Sequence, residues 1–141
     1  MKNIKIVLIV LFVVYFHLSS AQEVNEESAI MTIINDYFEG QRTDNPELIK
    51  RVFHPDAELK FISIRDSKYQ TISLEKYLSF FSYSKERKFE DRIFNIDVTG
   101  TASSVKLLVK YDTFQYTHYM HLLKTDEGWK IVNKISCQED F

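Results

Sequence analysis

Phe114-Gln-Tyr-Thr-His-Tyr-Met-His-Leu-Leu-Lys124, Thr125-Asp-Glu-Gly128 and Trp129-Lys-Ile-Val-Asn-Lys-Ile-Ser-Cys137 form the stretch on which the reading of this chain turns. Two runs rich in aromatic and β-branched residues flank four turn-type residues ending in Gly, the pattern of a long β-hairpin. The same stretch holds most of the side chains with chemistry to offer: Tyr116, His118, Tyr119, His121 and Lys134. Alternate strand residues share a face, so His118 belongs with Tyr116, Met120 and Leu122, and His121 with Tyr119 on the other side. Separated in this way, the two histidines make a poor pair of metal ligands, and no metal site is expected. Lys134 reads as a surface or interface lysine, and Cys137 has no identifiable activating base.

The residues before the hairpin also repeat with period two. Val105, Leu107, Val109 and Tyr111 alternate with Lys106, Leu108 and Lys110, and Gly100-Thr101 turns the chain back to a strand in which Phe94, Ile96 and Val98 share a face. Lys85-Glu86-Arg87-Lys88 reads as a solvated loop. Ser73 is placed to cap a helix whose Leu74, Tyr77, Leu78 and Phe81 form one stripe. A first strand is expected over Ala57–Ile64 and a short one over Tyr69–Ile72. Earlier still the period is helical: Ile30, Ile33, Ile34, Tyr37 and Phe38 line one face from an Asn25 cap to a Gly40 stop. Asn45-Pro46 opens a second helix that His54-Pro55-Asp56 ends as a turn, because a proline disfavours helical geometry in the residue before it. Helices first and hairpin-linked strands afterwards define an α+β domain: a curved, mostly antiparallel sheet wrapped as a cone around an N-terminal helical hairpin. Such a cone leaves a cavity at its open end.

The N-terminus has a different character. Lys2 and Lys5 flank the start of an apolar run, Ile4 to Leu18, followed by Ser19-Ser20-Ala21. Basic, apolar and small-residue segments in that order describe a signal peptide over 1–21, cleaved near Ala21 to export a single domain over 22–141 to the periplasm or the medium. The apolar run is shorter than the roughly 18 to 20 residues of a spanning helix, so no stable membrane anchor is expected after cleavage. Removing Lys2 and Lys5 leaves 16 basic against 20 acidic residues, a formal charge of −4. That balance argues against nucleic acid, whose recognition needs basic patches. Cys137 is the sole cysteine, which excludes an intrachain disulfide even in an oxidising compartment.

Tyr37-Phe38-Glu39-Gly40, Phe53-His54-Pro55-Asp56-Ala57 entering a strand, and Leu122-Leu123-Lys124 with Trp129-Lys130-Ile131-Val132-Asn133-Lys134 resemble the nuclear transport factor 2-like superfamily, and more narrowly its bacterial branch labelled putative lumazine-binding. The resemblance covers the mature chain in element order. It implies a cone-shaped, cystatin-like α+β fold, often a homodimer through the sheet, in a superfamily that contains both enzymes and non-catalytic binding domains. Its proton-moving members combine a tyrosine on the first helix, a carboxylate at the end of the first strand and an acidic residue on a later strand. Tyr37 matches the tyrosine, whereas the carboxylate position falls on or near Phe61. Members of the narrower branch carry an aspartate before the fifth-strand tyrosine, and His118 occupies that slot here.

Together these features point to an exported domain that binds a small apolar or aromatic molecule, lined by Tyr37, Phe61, Tyr111, Tyr116 and His118, with no cofactor. The alternatives are an isomerase, dehydratase or hydrolase using His118 as general acid or base with Tyr37, and a protein-interaction module acting through the sheet face. For Tyr37 and His118 the structural alternative is a core aromatic and a hydrogen-bonded core or interface histidine.

Overall fold

A computed structural model describes residues 25–141; the expected signal peptide lies outside the described residues. Helix α1 covers residues 25–42 and buries Ile30, Ile34, Tyr37 and Phe38, the expected stripe with Ile33 at its half-buried margin. Gly40 does not stop it. The helix continues past Gly40, and Asp44 takes the left-handed turn with φ 51°. Gly40 serves close packing instead, since a Cβ there would stand 2.8 Å from Cδ1 of Ile49. Helix α2, Pro46–Val52, begins as expected: the Asn45 side chain accepts from the amides of Glu47 and Leu48 at 3.0 and 3.2 Å.

Strand β1, Phe53–Ile62, starts before the expected Ala57 because Phe53 already pairs with the last strand. The ladder shifts register between Phe53 and Glu58, and Pro55, which has no amide hydrogen, sits in that irregular segment. The expected His54-Pro55-Asp56 turn is instead extended backbone inside β1, where His54 Nδ1 accepts from the Asp56 amide at 3.2 Å. Strand β2, Tyr69–Ser73, leads into helix α3, Leu74–Leu78, which is capped by Ser73 and ends before Phe81. Strands β3 (Glu90–Thr99), β4 (Ala102–Lys110), β5 (Phe114–Thr125) and β6 (Gly128–Asp140) complete one open, curved sheet in the order β2-β1-β6-β5-β4-β3. Among the described strands only the β1–β6 pair is parallel. In β3 a bulge between Ile93 and Asn95 corrects the expected alternation: Ile93, Ile96 and Val98 pack inward while Phe94 is exposed.

The core lies between α1, α2 and the concave face of the sheet, where Val105, Leu107, Met120, Leu122, Trp129 and Ile131 are buried. Helix α1 is anchored at the hairpin tip: Glu26 accepts from the Trp129 indole at 2.7 Å and from Lys124 Nζ at 2.6 Å. Those bonds hold its carboxyl below the usual range. From there α1 runs up the hairpin, and about 16 Å of helical rise brings Tyr37 over His118. On the opposite face Phe94, Tyr119 and Ile135 form an exposed stripe bridged by the Lys106 ammonium, which lies 5.6 and 5.4 Å from the Phe94 and Tyr119 ring centroids. Among the described residues no helix is long and apolar enough to cross a membrane.

Candidate functional site

The open end of the cone encloses a cavity of about 1060 Å³. Tyr37, Phe61, Tyr111, Tyr116 and His118 all border it. One wall is aromatic: Tyr111 stacks on Phe114 with centroids 4.7 Å apart, and Tyr116 stacks on the His118 ring at 5.5 Å with 14° between planes. His118 is buried, Tyr37 meets it edge-on at 6.3 Å, and its Nδ1 lies 2.9 Å from Ser136 Oγ. Burial first, and then the Lys134 charge, push its pKa well below the usual imidazole value, so the ring is neutral at physiological pH. Tyr37 is held well above the ordinary phenol range by burial and then by Tyr77, and burial also raises Tyr111 and Tyr116.

Lys134 is not a surface lysine. It is 5% exposed, borders the cavity, and donates to Tyr77 Oη at 2.9 Å and Tyr37 Oη at 3.3 Å. Its ammonium also lies 4.2 Å from the Tyr77 ring centroid, a cation–π contact. The cause of the reversal is a bulge. Leu122 pairs with Ile131 but His121 pairs with Asn133, so Val132 is the extra residue and the inward set becomes Trp129, Ile131, Lys134, Ser136. Unbroken alternation from Trp129 would have turned Lys134 outward.

Arg87 corrects a second expectation, since it leaves the charged loop to ion-pair with buried Asp44 at 2.6 Å. It also donates to Gln41 Oε1 at 3.2 Å and the Phe80 carbonyl at 3.1 Å and covers the Phe81 ring. Burial alone would raise the Asp44 pKa, but the amides of Ser82 and Ser84 and the Arg87 charge outweigh it and hold the carboxyl low. Gln41, its oxygen engaged by Arg87, turns its amide nitrogen to donate to Tyr77 Oη. Lys134, Tyr77, Gln41, Arg87 and Ser136 thus complete a site of which the sequence pattern exposed only the aromatic part. His121 and Cys137 are exposed and outside it. Among the described residues the only carboxylates bordering the cavity are Asp66 and Glu86, both exposed.

A curved, unclosed sheet over an N-terminal helix, hollow at one end, defines the nuclear transport factor 2-like class. The chain belongs to the family described as "Putative lumazine-binding", whose model matches residues 25–135. Among solved structures it is similar to an NTF2-like protein of unknown function from Shewanella baltica OS155, at 23% identity over 82% of this chain and 95% of that one, with a TM-score of 0.74. A second NTF2-like protein of unknown function, from Methylobacillus flagellatus KT, is 22% identical over 82% and 94% of the two chains, with a TM-score of 0.73. A domain of unknown function with a cystatin-like fold from Nostoc punctiforme PCC 73102 is 13% identical over 82% and 78%, with a TM-score of 0.65. No curated protein matches the chain.

Proposed function

We propose that this protein binds a small, planar, partly apolar molecule in the hollow end of its cone. The observation that carries the reading is the cavity of about 1060 Å³ walled by the Tyr111–Phe114 and Tyr116–His118 stacks. A volume at the upper end of the range for small-molecule sites, lined by aromatics with a few fixed polar groups, is what such ligands require. The family and the fold fit a small-molecule-binding domain, and the family's description adds a bicyclic heteroaromatic, lumazine, to the compounds worth testing. The isomerase, dehydratase or hydrolase alternative gains little support, because the inner cavity carries no carboxylate among the described residues and His118, held neutral, could take a proton as a base but has none to give as the general acid. Export, with cleavage near Ala21, belongs to the proposal on the strength of the sequence pattern.

Thermal unfolding with a panel of lumazine-like, flavin-like, sterol and lipid compounds tests the reading. Planar aromatics are expected to raise the unfolding temperature through selective binding to the folded state. Tyr116→Ala should weaken that binding by about tenfold, the loss of one stacking wall. A panel without a single shift would overturn the proposal.

A further inference from the structure

The inner end of the cavity holds an uncompensated charge, and the role proposed for it rests on the hollow being a ligand pocket. Two cations stand at this end. Arg87 is neutralised by Asp44 at 2.6 Å. Lys134, although buried, forms no ion pair with any described carboxylate. A buried ammonium is costly unless a negative charge or strong acceptors meet it, and two phenol oxygens and two ring faces meet only part of that need.

The hydrogen-bond directions leave the same deficit. Arg87 fixes the Gln41 amide, so both Gln41 and Lys134 donate to Tyr77 Oη, while Lys134 also donates to Tyr37 Oη. An ammonium and an amide nitrogen only donate, and each phenol brings a further hydrogen. However the hydroxyls turn, this cluster has more donor hydrogens than acceptors. Outside it, Arg65, Lys85 and Lys88 line the mouth against Asp66 and Glu86, a positive entrance on a chain whose formal charge is −2. Beside the cluster, Tyr116 and His118 stack on one another and both border the cavity.

We infer that the inner end of the cavity is an anion seat: Lys134, with the Tyr37 and Tyr77 hydroxyls, holds the oxyanion of a planar aromatic ligand whose ring lies along Tyr116. The ligand class is an aromatic carboxylate or a heteroaromatic with an equally delocalised oxyanion. A charge-assisted bond of this kind discriminates an anion from a neutral compound of the same shape.

Calorimetric titration with 2-naphthoate and with 2-naphthamide, matched in shape and different in charge, tests it. The natural protein is expected to bind naphthoate at least about tenfold more tightly, the effect of one hydrogen bond to a charged group. Lys134→Met should bring naphthoate down to about the affinity of naphthamide, with a much smaller loss for naphthamide, whose carbonyl accepts only a neutral hydrogen bond, and Tyr77→Phe should remove a smaller part of the preference. Equal affinities in the natural protein, or a preference that survives Lys134→Met in a folded variant, overturn the anion seat and leave the pocket standing. If neither probe binds, the anion seat for planar aromatics is overturned, while the pocket reading is decided separately by the thermal panel. Should Lys134→Met fail to fold, the two probes on the natural protein and on Tyr77→Phe still decide.

Discussion

The two ends of the concave face use the same strands for opposite purposes. Near the hairpin tip, Leu122, Trp129 and Ile131 are buried with Ile30 and Ile34 of α1, and Glu26 ties the helix down. Toward the other end, Met120 pairs with Lys134 and His118 with Ser136, and His118, Lys134 and Ser136 border the hollow. The change comes from what α1 presents. Isoleucines fill the first region, whereas Tyr37 and Gln41 bring a hydroxyl and an amide to the second, where Tyr77 of α3 meets them. One face can therefore supply stability at one end and ligand chemistry at the other, provided each is altered without disturbing the other.

Three measurements probe that division. Ile131→Ala, at a fully buried position of the packed end, is expected to cost about 3 kcal/mol in urea unfolding, within the range for large-to-small core changes. A cost below about 1 kcal/mol, the scale of a surface change, would mean the end is not close-packed. His118, at the hollow end, is expected to make stability depend on pH. Its folded pKa lies below the unfolded value of about 6.5, so its contribution is complete above that pH. As the pH falls toward the depressed pKa it is lost by about 1.4 kcal/mol per unit, since only the unfolded chain takes up the proton. The difference between the natural protein and His118→Gln, measured from pH 7 to 5, isolates this slope; parallel curves would show that the ring titrates alike in both states. The smallest effect is expected at Ser103, whose buried Oγ has no partner among the described residues. Ser103→Ala should stabilise the packed end by up to about 1 kcal/mol, and a loss of stability would reveal a hydrogen bond there.

Much of this division is legible in the sequence, for local reasons. Asn45-Pro46 marks the start of α2 because cap and first-turn geometry depend on adjacent residues. The Thr125–Gly128 turn sets the hairpin, and alternation from Tyr116 to Leu122 puts His118 inside and His121 outside. The aromatic lining comes from the same period. Lys134, Phe94, Gly40 and Arg87 escape a pattern-based reading for different reasons. Bulges at Val132 and Phe94 break the alternation that a sequence pattern assumes. Gly40 looks like a helix stop until Ile49 is seen against it. Arg87 lies in a run of charges and finds its counter-charge 43 positions away, at Asp44.

Caps, turns and hydrophobic periods act between near neighbours, so the kind and order of the elements, and the family they define, are written in the chain itself. Which side chains meet in the hollow is a matter of tertiary structure alone. The single extra residue at Val132 turns Lys134 inward to Tyr37 and Tyr77, and α1, α3 and β6 must all be in place before that ammonium has neighbours at all.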